Sequence, residues 1–91
     1  MVRLQFELEN ERVSEIERLM QLTDIRTKKE YFNNALTLFK WAINERCQGR
    51  LIASVDESNK SMRDLRMPAL ETAAERALIL AAQAPAVARA R

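Results

Sequence analysis

Few side chains in this sequence can carry covalent or acid–base chemistry. There is no histidine and one cysteine, Cys47, so a His-based proton shuttle, a zinc site and an internal disulfide all lack their raw material. Cys47 falls near the C-terminal end of an expected helix, the wrong end of the dipole to favour a nucleophilic thiolate, and reads as structural. The paired carboxylates Glu15 and Glu17, like Asp56 and Glu57, have no base or metal ligand beside them and read as solvated surface charge. No enzyme, metal or cofactor is expected. The residue types that remain are suited to binding. Arg3, Gln5 and Glu7 alternate near the N-terminus: Arg can fork onto guanine O6/N7, Gln onto adenine N6/N7, and a carboxylate can accept from cytosine N4. Thr27, Lys28 and Lys29 stand together at an expected helix start, where exposed N–H groups and lysines suit a phosphate.

Those residues need elements to position them. Val2, Leu4, Phe6 and Leu8 alternate with Arg3, Gln5 and Glu7, the period of a strand with one apolar face. No partner follows within hairpin distance, so the strand is expected to pair with another subunit. Asn10 is placed as the N-cap of a helix over 11–22, with Val13, Ile16, Leu19 and Met20 on its apolar face. A turn over 23–26 follows, in which Asp24 tolerates a left-handed conformation better than most residues. Thr27 and Glu30 form an S/T-x-x-E capping box that opens a helix from Lys28 to about Cys47, closed by Gly49 at the left-handed position. That helix carries two adjacent apolar stripes, Tyr31, Ala35, Leu38, Ala42 and Phe32, Leu36, Phe39, Ile43, more than packing on one side requires. Trp41 lies off both and reads as packing rather than as a platform for bases.

Charge follows the same division. Residues 1–25 hold three arginines against six acids, a net −3, whereas 26–50 hold six basic residues against two acids, a net +4. The second stretch is the natural place for an anionic partner. With 91 residues, one glycine, two prolines and 47% hydrophobic residues, the chain is expected to be one small, mostly helical fold that buries apolar surface against a second copy.

One strand, two helices and a capped, basic second helix resemble the ribbon-helix-helix superfamily of bacterial DNA-binding proteins over about residues 1–47. The resemblance implies a homodimer in which two N-terminal strands form an antiparallel ribbon that enters the major groove while the helices intertwine. It implies base contacts from Arg3, Gln5 and Glu7, phosphate contacts from Thr27, Lys28 and Lys29, and a dimer core of Leu4, Phe6, Phe32, Leu36, Phe39 and Ile43. The expected function is then a homodimeric transcription regulator binding double-stranded DNA. The alternative is a dimerisation or assembly module, antitoxin-like, whose extension holds a protein partner.

That extension begins after residue 49. A short strand is expected over 51–55, a polar connection over 56–67, and a last helix over 69–83 with Pro68 in its first turn and Leu70, Ala74, Ala77, Leu78 and Ala81 on one side. The expected organisation is therefore 1–49 as the binding unit, 50–67 as strand and connection, and 68–91 as helix and Ala-rich tail, the tail fraying from residue 84. Residues 50–91 are available to a protein partner. Without a signal-like apolar run or a membrane-length segment, a cytoplasmic protein is expected, nucleoid-associated when on DNA.

Overall fold

The computed structural model describes residues 1–83; the tail from 84 onward, where fraying is expected, lies outside them. Five elements occur in chain order: α1 (Asn10–Thr23), α2 (Lys28–Cys47), β1 (Ala53–Asp56), β2 (Ser61–Asp64) and α3 (Pro68–Gln83). They fall into two compact units, Met1–Leu36 and Thr37–Arg91, with the boundary inside α2.

In the first unit the N-terminal strand does not form. Residues 1–9 have no regular secondary structure, and the only sheet among the described residues is the β1–β2 hairpin, which follows two helices rather than preceding them. This corrects the expected fold, one N-terminal strand before the helices and the ribbon-helix-helix arrangement built on it. The physical reason is that a strand exists only as half of a ladder, and alternation of apolar residues supplies a face but no partner for the backbone groups. Val2, Leu4, Phe6 and Leu8 stay exposed. Phe6 alone among them makes a ring contact, its centroid 6.3 Å from that of Phe32, which in turn meets Tyr31 edge-on at 5.5 Å.

The helices follow their local signals more closely. α1 begins one residue earlier than expected: Glu9, extended at φ −63° and ψ 150°, is the cap residue and no side chain caps the helix, so Asn10 is not its N-cap. The Glu9 carbonyl accepts from the Arg12 and Val13 N–H groups instead. Ile16 is buried and Val13, Leu19 and Met20 are half-buried, the apolar face that the spacing predicts. The helix ends with Asp24 left-handed at φ 56°, where Ile25 N–H donates to the Met20 carbonyl at 2.9 Å and Asp24 N–H to Gln21 at 3.3 Å. These two bonds are the Schellman pattern that satisfies carbonyls otherwise orphaned at a helix end. α2 starts where the capping box puts it, the Thr27 hydroxyl accepting from Glu30 N–H at 3.1 Å. It ends in a second Schellman pattern: Arg50 N–H donates to Glu45 and Gly49 N–H to Arg46, both at 3.0 Å, with Gly49 at φ +81°.

In the second unit β1 pairs antiparallel with β2, Val55 opposite Met62 and Ser54 opposite Arg63. The expected strand over 51–55 thus lies further along, and its partner occupies the expected polar connection. The turn between them is built by Asp56, whose carboxylate accepts from both the N–H (3.1 Å) and the hydroxyl (2.7 Å) of Ser58, and by Lys60 in the left-handed region at φ 53°. α3 begins at Pro68, whose fixed φ and missing N–H suit a first helical position. Its Leu70, 1% exposed, is the most deeply buried large side chain among the described residues. Beside it Glu71 receives two arginines, Arg46 from α2 at 2.5 Å and Arg66 at 3.0 Å. Arg46 is itself buried and also donates to the Arg50 carbonyl at 3.0 Å, and its Nε alone has no partner.

Candidate functional site

The expected DNA-contacting residues lie in the first unit, on two pieces of chain. Arg3, Gln5 and Glu7 are exposed on the irregular arm, where no strand orients them. The Phe6–Phe32 contact brings the middle of that arm against α2 one turn beyond Lys28. Lys28 and Lys29 are exposed at the head of α2, and among the described residues neither takes part in an ion pair. The capping bond occupies the Thr27 hydroxyl, and Thr27 also accepts from Tyr31 N–H through its carbonyl at 3.1 Å. The helix N–H groups left for a ligand are therefore those of the two lysines.

Sequence reasoning did not single out Arg26. In the turn its guanidinium approaches Asp24 at 4.0 Å, both side chains open to solvent. A shallow depression of about 390 Å³ joins Arg26 and Lys28 to Glu17, Gln21 and Asp24. Its charge is mixed, so the cationic character of the α2 start is local to Lys28 and Lys29 and fades toward α1. The signal that could have placed Arg26 was the left-handed Asp24, which reverses the chain and sets the following residues at the rim of the turn.

The expected dimer-core residues are the ones a single chain leaves open. Leu4, Phe6, Leu36 and Phe39 are exposed, while Phe32 and Ile43 are half-buried. Leu36, Phe39 and Ile43 recur at helical spacing along α2, and Leu38 and Trp41 beside them are exposed as well. In the second unit the electrostatics centre on Glu71, whose carboxyl is held below its ordinary pKa, first by the Arg46 hydrogen bond and then by that of Arg66. Arg66 is correspondingly raised by Glu71. The Asp56 carboxyl is lowered by its bonds to Ser58. These groups hold structure and form no reactive centre, and no cluster able to hold a metal ion occurs among the described residues. Cys47 is exposed and its thiol leans on the Ala73 carbonyl at 3.7 Å. No described helix is long and apolar enough to cross a membrane.

Comparison of the chain with family models, with curated proteins and with solved structures finds no match.

Proposed function

We propose that the chain acts as a homodimeric regulator that binds double-stranded DNA. The observation that carries this reading is the unpaired Lys28–Lys29 couple at a helix start with free N–H groups, inside a stretch of net charge +4. Helix dipole, N–H donors and lysines all favour an anion at one place, and a phosphate of a duplex is the anion that a second copy would meet at a fixed spacing. Thr27 holds the cap, and Arg3, Gln5 and Glu7 reach base edges from the adjoining arm. The second copy covers the apolar surface of α2 at Leu36, Phe39 and Ile43 and the arm residues Leu4 and Phe6 beside Phe32.

The test is a salt titration of affinity for duplex DNA. Each phosphate neutralised contributes about −0.9 to the slope of log affinity against log salt. Lys28→Ala and Lys29→Ala should weaken all duplexes alike and lower that slope by roughly one unit for each phosphate left without its lysine, whereas Arg3→Ala and Gln5→Ala should cost about 1–3 kcal/mol on a preferred site only. A parent chain that does not bind duplex DNA at low salt removes the reading. One observation favours an assembly module in that event: Leu78, Ile79 and Leu80 form an exposed apolar run on α3, a surface of the kind that holds a protein partner.

A further inference from the structure

The β1–β2 hairpin is the least supported part of the second unit. All eight strand residues are exposed, Val55 at 63% and Met62 at 66%, and no third strand joins them among the described residues. A two-stranded sheet by itself is marginal in water. The register gives the hairpin two faces: Ala53, Val55, Met62 and Asp64 share one with Leu51 next in line, and Ser54, Asp56, Ser61 and Arg63 share the other.

The free backbone groups can be assigned. Leu65 N–H donates to the Ile52 carbonyl at 2.7 Å, and these two residues continue the β1–β2 register, so they form a hydrogen-bonded pair. Because such pairs alternate along an antiparallel ladder, Ser54–Arg63 and Asp56–Ser61 are bonded pairs too. The N–H and C=O groups of Met62 and Asp64 then point away from β1, with Lys60 at the mouth of the turn. This is an open edge ready to accept a strand.

We propose that this edge pairs antiparallel with the β2 of a second copy, centred on Met62, to give a four-stranded sheet with the two Met62 side chains together at its centre. The occupant follows from symmetry and charge. A two-fold axis normal to the sheet keeps the Val55–Met62 faces of both copies on the same side, so directly opposite residues must have numbers with an even sum. Centred on Met62, Met62 faces its copy, Ser61 faces Arg63, and Lys60, in the turn next to β2, brings its long side chain beside Asp64, whose carboxylate also meets Arg66 at 3.4 Å, twice over. Centring on Arg63 or on Asp64 sets like charges directly opposite, which is destabilising, and centring on Ser61 pairs Lys60 with Met62. Within Ala53–Asp56 the β1 edge has no such solution: centred on Ser54 or Val55, Asp56 faces Ile52 or Ser54 and meets no cation, and centred on Ala53 it would need Arg50, which lies three residues outside the strand and pairs with Glu45 at 2.8 Å. One register of one edge is therefore both symmetric and charge-complementary. The pairing uses residues 60–64 and stands whether or not the chain binds DNA.

Cross-linking of the full-length chain tests it, with Cys47→Ser removing the native thiol. Hydrogen-bonded partners in an antiparallel pair sit about 5.5 Å apart at Cα, within disulfide reach, whereas the two copies of Val55 would be three strand spacings apart, roughly 14 Å. Met62→Cys should form a covalent dimer on mild oxidation and Val55→Cys should not. In sedimentation equilibrium Lys60→Glu, which turns two attractive pairs into two repulsive ones, should weaken self-association by about tenfold, while Lys60→Arg should leave it unchanged. Cross-linking through Val55→Cys as readily as through Met62→Cys, or through neither, overturns the proposal, as does a Lys60→Glu chain that associates like the parent. Lys28→Ala, which should weaken DNA binding, leaves the cross-link intact, and this separates the sheet pairing from the regulator reading.

Discussion

Replacing Leu70 with alanine should unfold the second unit preferentially. Leu70 lies in the first turn of α3 and is 1% exposed, so truncation empties a buried site that solvent does not refill. Leu→Ala changes in cores cost about 2–5 kcal/mol, the spread reflecting how far the surroundings collapse. The site lies at a helix end in a small unit, where some collapse is possible, so about 3 kcal/mol is the working figure. For a domain of this size that corresponds to a fall in Tm of roughly 12–24 °C. The polar links beside it, Arg46 and Arg66 to Glu71, remain, so the change reports packing alone. The assay is urea denaturation followed by circular dichroism, with Leu78→Ala as control, since Leu78 on the same helix is 74% exposed and should cost less than about 0.5 kcal/mol. Equal costs at the two positions would refute the reasoning, because Leu78 would then be buried in the folded form.

Three further outcomes are expected. Glu71 has its folded-state carboxyl pKa lowered by Arg46 and Arg66, so its stabilisation is present above the ordinary carboxylate range and is lost as pH falls through the lowered value; Tm measured across acid pH should fall less steeply for Glu71→Gln than for the parent. Gly49→Ala meets no atom within 4 Å of the new Cβ, so its cost is conformational, about 1–2 kcal/mol from the left-handed φ, and thermal melts should show that cost while helix content stays the same. If the second copy covers α2, Tm should rise with protein concentration, and Phe39→Ala should reduce that dependence as well as Tm itself.

The helices were legible because their signals are local. Thr27 and Glu30, Gly49 and Pro68 each act within a turn of their own position, so the spacing alone located the start and end of α2 and the start of α3 to within a residue. The strands were less so, because pairing is a property of two segments: the expected strand over 51–55 overlaps β1 only at 53–55, and its partner β2 was not expected. Residues 2–8 have the better alternating pattern, yet Val55 and Met62 found partners through a turn that Asp56 and Ser58 close and the N-terminal segment has none. β2, Ser-Met-Arg-Asp, is hidden by composition, since only Met62 in it looks like a strand residue. The charges that hold the second unit were equally invisible: Arg46 and Glu71 are 25 positions apart, and nothing in either neighbourhood marks the pair. For the binding residues, the sequence located Lys28 and Lys29 through the cap, but the orientation of Arg3, Gln5 and Glu7 depended on a strand that does not form.

Lys60 is a poor choice for its backbone. At φ 53° it occupies the left-handed region, where a residue with a Cβ carries a penalty of about 1–2 kcal/mol that glycine avoids. An engineer seeking a hardier protein would therefore begin with Lys60→Gly, which relieves that penalty. The same change would delete the cation at the mouth of the hairpin. Durability of the individual chain and assembly of its copies are set against each other at this one position, so a variant library screened for heat resistance alone would drift toward molecules that survive better singly and associate less.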